Sequence, residues 1–405
     1  MRKMEPILIS MEDLRPGGAQ TFALRFAQYC TTKGHKVLVY QHYDWLIDYS
    51  LLKAIAPDVF LLRSSLFPIW MDKLFFKFEN FLQKIFWFSF HPRKFFLSLK
   101  LKSEIQKHQV KIVFSHTVKS DYVAARAVES EILIVTMHGD YDEFYECAIL
   151  KNSLPHYENF LKRIYRKIDG LIYLAEKNIK TLNLLFPKNR INCEKIYNGF
   201  EGFFFPGSEE EDIRVSLKLS KDALLFVMVA RGVEGKGWED LIEAFEKLEH
   251  SNVHLLLVGG GSFLDNLKAK YKNKNVHFIG NHPNPINIVK YCDVGVLPSK
   301  LKESLPNSIV EYLFCNIPVI ATNVGEVDKM IDAEGMEAGI LIPFPSDDVT
   351  SKAYKKSLYK ALEMMCQDHI RIEFKKYANK AFQKFDMNNC YNRYFSLAME
   401  VVKKS

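Results

Sequence analysis

Short runs of apolar residues alternate with longer helical patterns along the first half of the chain. Nearly every position in these runs is apolar, as in strands buried on both faces of a sheet, and the stretches between them repeat apolar residues at helical spacing. The runs occupy residues 6–10, 35–40, 111–116 and 132–138, with a first helix at about 21–33. This order predicts parallel strands joined by helical crossovers, so residues 1–203 are predicted to form one doubly wound domain.

The same rhythm restarts after an acidic, glycine-containing stretch at 206–212, which is typical of a connection between domains. Further apolar runs follow at 224–231, 253–261, 276–280, 293–299 and 317–322. Residues 204–385 are therefore predicted to form a second doubly wound domain, and residues 386–405 a helix that returns to the first. The predicted fold class is α/β, with two Rossmann-like domains facing each other across a cleft, since ligands bind at the strand ends of such sheets.

Length and composition agree with two globular domains. The 405 residues exceed what one hydrophobic core usually organises, and 48% hydrophobic with 25% charged residues is the composition of a folded protein. The net charge of +7 favours a negatively charged partner. Charge alone leaves nucleic acid, an anionic membrane and a phosphorylated substrate open.

Cysteine spacing and the lack of long apolar runs bear on the compartment. The seven cysteines contain no C-x2-C pair and are interpreted as reduced thiols, which argues against a zinc site. The apolar run near the first residue is too short for a signal peptide, and no run of about 18 apolar residues is present to span a membrane. We therefore expect a cytoplasmic protein, with peripheral contact to the inner face of a membrane left open.

Two glycines, Gly17 and Gly18, lie between the first predicted strand and the first helix. Glycine lets a backbone approach a ligand closely, and free N–H groups at a helix start attract an anion such as phosphate. A tight turn without a ligand is the alternative, because the loop is not a full G-x-G-x-x-G.

Arg231 and Lys236 follow a buried strand pattern in a loop that contains three glycines. We expect them at the carboxyl edge of the second sheet, where a guanidinium fork and an ammonium group neutralise a leaving diphosphate without a metal ion. A solvated basic loop is the alternative.

Glu303 and Glu311 are eight residues apart, a little over two helical turns. If residues 305–314 form a helix, Glu303 lies in the preceding loop and Glu311 on the helix side, so that both carboxylates reach one ligand at the helix N-terminus. Carboxylates accept hydrogen bonds from sugar or ribose hydroxyls, whereas simple compensation of the helix dipole is the alternative.

With these residues the second half of the chain resembles the retaining glycosyltransferases of family 4. Arg231 and Lys236 match the R-x4-K-G loop of that family, and Glu303 and Glu311 match its E-x7-E segment. The resemblance implies that the two cations bind the diphosphate of a nucleotide sugar. It also implies that Glu311 holds the ribose and that Glu303 lies by the donor sugar.

The resemblance covers most of residues 5–330. Leu305, Pro306, Asn307 and Ser308 match the loop whose backbone amides bind phosphate in the family. Pro306 is a departure, because proline has no N–H to donate. Phosphate binding must then rest on neighbours such as Asn307.

Shorter matches concern the nucleotide base and the first domain. The segment VHFIGNHP, which includes Asn281, matches the loop on the base side of the family's donor site. Gly17 and Gly18 match a glycine pair that approaches the donor phosphate, and His138 matches a histidine near the reacting sugar. Gln20 stands where an acidic residue is common, and for His138 a satisfied core histidine is the alternative. The fold implied is GT-B.

Residues 66–102 interleave many aromatic residues with basic ones, and contain only Asp72 and Glu79 as acids. Such a segment is typical of one-sided attachment to an anionic membrane. Helices that simply cover the sheet are the alternative. We do not expect nucleic acid as a partner, because the chain already carries a complete set of sugar-nucleotide residues.

The sequence thus predicts a hexosyltransferase that uses a nucleoside diphosphate sugar, either a UDP- or a GDP-sugar. The resemblance implies that the acceptor is a hydroxyl of a glycan or lipid-linked saccharide in cell-surface polysaccharide synthesis and that the anomeric configuration is retained. No cofactor or metal ion is expected besides the donor. A GT-B epimerase acting on the sugar nucleotide and a non-catalytic sugar-nucleotide-binding protein remain as alternatives.

Overall fold

The chain divides into two compact units. The first unit comprises residues 1–199 and 388–405, and the second comprises residues 200–387. The computed structural model describes residues 5–15, 18–65, 67–86, 92–138, 165–176, 191–202, 212–282, 284–301 and 305–404. The predicted domain boundary between residues 203 and 204 lies outside the described residues.

The first unit is built on a seven-stranded sheet in which every described strand pair is parallel. Its strands are β1 (Ile7–Met11), β2 (Val37–Gln41), β3 (Phe60–Leu62), β4 (Ile112–Ser115), β5 (Ile132–Met137), β6 (Gly170–Tyr173) and β7 (Asn192–Lys195), in the spatial order β3-β2-β1-β4-β5-β6-β7. Its helices are α1 (Gly18–Thr32), α2 (Tyr49–Ile55), α3 (Ile69–Phe86), α4 (Pro92–His108) and α5 (Val118–Ala127). Every residue of β1, β2, β4 and β5 is buried, as their unbroken apolar runs predict.

The second unit repeats this plan with a six-stranded parallel sheet. Its strands are β8 (Leu224–Val229), β9 (Val253–Val258), β10 (Val276–Gly280), β11 (Val294–Leu297), β12 (Val319–Thr322) and β13 (Gly339–Ile342), in the order β10-β9-β8-β11-β12-β13. Its helices are α6 (Ile213–Ser216), α7 (Trp238–Phe245), α8 (Ser262–Lys270), α9 (Ile286–Val289), α10 (Asn307–Phe314), α11 (Val327–Ile331), α12 (Asp348–Met365) and α13 (Asp368–Phe382), with 3-10 turns at Glu234–Lys236 and Gln383–Phe385.

The last helix, α14 (Met387–Lys404), packs on α1 through aromatic side chains. The ring of Tyr394 lies 5.2 Å from that of Phe22 and 5.3 Å from that of Phe26, measured between centroids. The Cys390 thiol donates to the carbonyl of Tyr197 at 3.2 Å. Apolar burial of this kind keeps α14 on the first sheet.

The predicted α/β class with two doubly wound domains is confirmed. In each unit the first six strands follow the order 3-2-1-4-5-6 when counted along that unit. In such a sheet the crossovers run in opposite directions from the two central strands and leave a crevice at their carboxyl ends. These crevices lie between β1 and β4 in the first unit and between β8 and β11 in the second.

None of the described helices is both long enough and apolar enough to cross a membrane.

Candidate functional site

The crevice of the second unit lies between two loops that carry most of the predicted donor-binding residues. β8 and β11 are adjacent, with Phe226 opposite Val294. The loop after β8 carries Arg231 and Lys236, and the loop after β11 leads into α10, which carries Glu311. The two predicted motifs therefore flank one switch point of the sheet.

Backbone hydrogen bonds hold the loop after β8. The Gly232 N–H donates to the carbonyl of Gly260 at 3.2 Å, and the indole N–H of Trp238 donates to the carbonyl of Arg231 at 3.0 Å. The Arg231 side chain is exposed and Lys236 is half-buried. Because the main chain is fixed by these bonds, the arginine fork is presented to solvent from a rigid base.

Glycine is required where this loop meets its neighbours. Gly237 has a φ of 81°, and a Cβ there would lie 2.1 Å from the carbonyl oxygen of Pro298, at the end of β11. A Cβ at Gly232 would lie 2.5 Å from the carbonyl oxygen of Gly260, after β9. The glycines thus let the loops after β8, β9 and β11 approach to backbone contact.

Asn281 follows β10 and lies beside Gly260, so that a Cβ added to that glycine would lie 3.1 Å from the Cβ of Asn281. The Gly259 N–H donates to the carbonyl of Gly280 at 2.9 Å and ties the ends of β9 and β10 together. The Asn281 side chain is exposed. It lies at the same edge of the sheet as Arg231, two strands away from β8.

The helix α10 begins at Asn307, two residues later than predicted. Pro306 has a ψ of 117°, which is extended backbone, and as a proline it also restrains the half-buried Leu305 before it. Asn307, which is exposed, and Ser308, which is half-buried, are the first helical residues. The N–H groups of a first turn have no acceptor within the helix, so this end offers donors to an anion.

Glu311 projects from α10 with one carboxylate oxygen left without a partner. Its Oε2 atom is buried and accepts no hydrogen bond from the part of the chain that is described. Burial raises the pKa of Glu311 to about 7. A buried carboxylate that lacks donors is costly, and ligand hydroxyl groups would remove that cost.

Tyr312, next to Glu311, fixes α10 to the sheet. Its hydroxyl accepts a hydrogen bond from the N–H of Val229 at 2.8 Å and donates to the carbonyl of Val296 at 3.3 Å. The ring lies over Gly295, where a Cβ would be 2.2 Å from it. The start of α10 and the end of β8 are therefore held at a constant separation.

In the first unit, His138 follows β5 and pairs with His116, which follows β4. His116 Nδ1 lies 3.0 Å from His138 Nε2, and the rings are stacked with centroids 5.3 Å apart. The ring of Phe22 packs edge-on against both. Burial lowers the pKa of His138 to about 4 and that of His116 well below its usual value, so both rings are neutral at pH 7.

Gly18 is the first residue of α1 and is exposed. A Cβ at this position would meet no described atom within 4 Å, so packing does not require glycine there. Gly17 and Glu303 lie outside the described residues.

The structure brings the predicted residues of the second unit to one edge of its sheet. These are Arg231, Lys236, Asn281, Leu305, Asn307, Ser308 and Glu311. The sequence interpretation missed Trp238 and Tyr312, which support the two loops from beneath. Their positions gave a hint, because each aromatic residue with a polar tip stands within two residues of a predicted ligand contact.

Known families match both halves of the chain. The family described as "Glycosyl transferases group 1" matches residues 209–379, and the family described as "Glycosyltransferase Family 4" matches residues 16–201. The predicted family is confirmed by these two matches.

Curated relatives are distant and match in part. An uncharacterised glycosyltransferase of Methanocaldococcus jannaschii is 28% identical over 170 residues, which are 40% of this chain and 41% of that protein. The capsular polysaccharide biosynthesis glycosyltransferase CapH of Staphylococcus aureus is 26% identical over 252 residues, 58% of this chain and 65% of that protein. The chain thus spans less than two thirds of the length of these relatives.

Solved structures have a similar fold. HepE of Anabaena, solved in complex with UDP, has a TM-score of 0.66 at 17% identity and covers 98% of this chain and 100% of that one. With two families matched in tandem over its two doubly wound units, the chain belongs to the family 4 type of glycosyltransferases, which have the GT-B fold.

Proposed function

We propose that the protein is a retaining glycosyltransferase that moves a hexosyl unit from a UDP- or GDP-sugar to a hydroxyl of a glycan or lipid-linked acceptor. The observation that carries the proposal is the crevice between β8 and β11, where two cations and an unpartnered carboxylate stand on opposite sides of one switch point. The capsular polysaccharide relative supports a role in cell-surface polysaccharide synthesis.

Stabilisation of the leaving diphosphate is the main task of the second unit in this scheme. Arg231 offers a bidentate fork, Lys236 a point charge, and the first turn of α10 backbone N–H groups from Asn307 and Ser308. Donors fixed before the reaction need no reorganisation when negative charge develops. This set supports a reaction that proceeds without a metal ion.

The positions of the remaining residues suit the ribose, the base and the sugar of the donor. Glu311, as a carboxylate, would accept hydrogen bonds from the ribose hydroxyls. Asn281 would contact the base from the end of β10. Glu303 and His138 would hold hydroxyls of the donor sugar, while Gly17 and Gly18 would let the first unit's backbone approach the phosphate. Leu305 would pack beside the diphosphate.

Release of nucleotide from a panel of UDP-, GDP- and ADP-sugars in the presence of membrane extract tests the proposal. Lys236→Ala and Glu311→Ala are expected to reduce turnover about 100-fold. Lys247→Ala is the matched control, because Lys247 is exposed and follows α7 at the opposite edge of the sheet. Turnover unchanged by both site substitutions would overturn the assignment, and conversion of donor without acceptor would identify an epimerase instead.

We further propose that α3 contacts an anionic membrane, since its polar and apolar faces are inverted. Asp72 and Glu79 lie on one side of the helix and are buried. Trp70, Leu74 and Phe78 recur every fourth residue on the other side and are 67%, 63% and 53% exposed. A helix that buries its carboxylates and exposes its aromatic residues is not explained by packing on its own sheet.

A buried ion pair fixes this orientation. The guanidinium of Arg93, from α4, donates to both carboxylate oxygens of Asp72 at 2.8 and 2.9 Å. The outer face forms a groove of about 680 Å³. Apolar side chains line it, among them Phe67, Trp70, Met71, Leu74, Phe78 and Phe96. Lys73 and Lys77 are exposed beside it, which suits anionic headgroups.

Co-sedimentation with vesicles of neutral or anionic lipid tests this contact. Trp70→Glu is expected to abolish binding, and the double substitution Lys73→Glu, Lys77→Glu to weaken binding to anionic vesicles by at least about 30-fold at about 1 kcal/mol per lysine. Val349→Glu is the control, because Val349 is 78% exposed on α12 of the second unit. Equal binding by all variants would refute the role of α3.

A further inference from the structure

The contact between His116 and His138 limits which ring nitrogen of each histidine can carry a proton. A hydrogen bond between two imidazole nitrogens requires one to donate and the other to accept, so at least one ring is neutral. Because burial lowers the pKa of both histidines, both rings are neutral at pH 7 and each carries one proton. The bond therefore permits two arrangements of tautomers.

In the first arrangement, His116 carries its proton on Nδ1 and donates it to His138 Nε2, so the proton of His138 is on Nδ1. In the second, His138 Nε2–H donates to His116 Nδ1, and the proton of His116 is on Nε2. His116 Nε2 and His138 Nδ1 are both buried and have no partner among the described residues. The two arrangements thus differ in which ring holds an unpaired N–H group.

A buried N–H without an acceptor is rarer than an acceptor left without a donor. His116 has no exposed surface, and no ligand reaches its Nε2 without displacing the core. His138 keeps part of its surface exposed at the point where the chain leaves β5. Both outer nitrogens are covered, but His138 is partly exposed and His116 is not, so an N–H on His138 can reach an acceptor oxygen with less displacement of its neighbours.

We propose that His116 is a positioning residue whose Nδ1–H donates to His138 Nε2 and holds His138 as the Nδ1-protonated tautomer, a hydrogen-bond donor for an oxygen of the donor sugar. The part that concerns the sugar rests on the proposed function. The tautomer itself does not, because it follows from the bond between the rings and from the full burial of His116 against the partial exposure of His138.

A second histidine pair in the second unit provides an internal control. His254 Nδ1 lies 3.2 Å from His277 Nε2, with ring centroids 5.3 Å apart. These residues are near the amino ends of β9 and β10, at the edge opposite the crevice. Substituting His254 therefore removes an equivalent contact without touching the proposed site.

Long-range proton–nitrogen NMR of the full chain labelled with ¹⁵N-histidine shows which ring nitrogen carries each proton. His138→Phe identifies the signals of His138 among the 12 histidines. We expect Nδ1–H on His138 in the wild type and in His116→Asn, whose amide still donates, and a mixture of tautomers in His116→Phe. Nε2–H on His138 in the wild type would overturn the proposal, whatever the enzyme's activity.

Donor turnover provides the second readout. His116→Phe is expected to lower kcat about tenfold with KM for the donor changed less than about twofold, while His116→Asn stays within about threefold of the wild type, as for one hydrogen bond. His254→Phe is expected to change neither constant. If the wild type turns over no nucleotide sugar, the proposed function fails while the tautomer remains decided by NMR. Equal loss in His116→Asn and His116→Phe would show a packing role and refute positioning.

Discussion

Arg93 in the first unit and Arg231 in the second carry the same charge in opposite environments. Arg93 is 2% exposed, with its guanidinium held by Asp72 and by the carbonyl of His42. It also lies over the ring of Tyr43, 4.7 Å from the centroid. Arg231 is exposed on a loop that is fixed by its own backbone. The two units share a strand order but use their cations differently.

The difference separates stability from ligand binding. In the first unit a buried charge is satisfied within the chain, so its removal acts on folding. In the second unit Arg231 is exposed and one carboxylate oxygen of Glu311 has no donor among the described residues, so we expect their removal to act on ligand binding. A shared topology therefore does not say which sheet binds the donor. We expect the second, because its edge combines two cations with a carboxylate oxygen that lacks a donor among the described residues.

Removing Arg93 is expected to cause the largest loss of stability. Arg93→Met leaves Asp72 buried without its partner, and we expect a loss of about 4 kcal/mol in the free energy of unfolding, measured by urea denaturation. The double substitution Arg93→Met, Asp72→Leu is expected to recover most of that loss. A loss below about 1 kcal/mol for the single substitution would contradict the importance of the ion pair.

Glycine substitutions separate backbone strain from close approach. Gly237 and Gly335 have φ angles of 81° and 87°, but a Cβ at Gly335 would meet nothing within 4 Å among the described atoms. Gly335→Ala is expected to cost about 1 kcal/mol for the left-handed backbone alone. Gly237→Ala is expected to cost about 3 kcal/mol, because the Cβ also meets the carbonyl of Pro298. Equal melting temperatures of the two variants would argue against the tight loop packing.

Removing Arg231 is expected to act on catalysis alone. Arg231→Ala should reduce kcat about 100-fold, since one preorganised donor to the diphosphate is lost. Its melting temperature should match that of the wild type, because the side chain is exposed. A drop in stability like that of Arg93→Met would erase the distinction between the two arginines.

The raised pKa of Glu311 predicts a smaller effect, on binding of the donor. The folded-state pKa of about 7 lies above the unfolded value of about 4.3, so the stability contributed by this carboxyl is present below that unfolded value and is lost as pH rises through 7. A ligand that binds the carboxylate reverses this cost, so affinity should rise severalfold between pH 6 and 8, by about 1 kcal/mol. Calorimetric titration with a UDP-sugar checks this, and Glu311→Gln should bind without that pH dependence.

Sequence patterns anticipated the fold and the position of the candidate motifs at one edge of the second sheet, because both follow local rules. Unbroken apolar strands and glycine-containing loops predict a parallel sheet with ligands at its carboxyl edge. The hydrogen bonds of Tyr312 to Val229 and Val296 join residues far apart in sequence and could not be derived from spacing. The shift of the α10 start to Asn307 follows from Pro306, whose effect on the helix boundary the pattern of apolar residues does not show.

The orientation of α3 also could not be predicted from the sequence. The aromatic and basic composition of α3 predicted an amphipathic surface, but did not show that Asp72 and Glu79 lie on the buried face. The ion pair with Arg93, on the next helix, and a hydrogen bond from the hydroxyl of Ser65 explain why Asp72 lies inside. Long-range pairing of this kind is set by tertiary structure and not by periodicity.

The fluorescence of Trp238 offers a way to follow ligand binding at the crevice. The indole is fully buried, and its N–H donates to the carbonyl of Arg231, at the base of the loop proposed to receive the diphosphate. The other three tryptophans, at positions 45, 70 and 87, belong to the first unit. Replacing those three with phenylalanine leaves a single tryptophan, whose selectively excited emission is expected to change on donor binding without any label on the sugar.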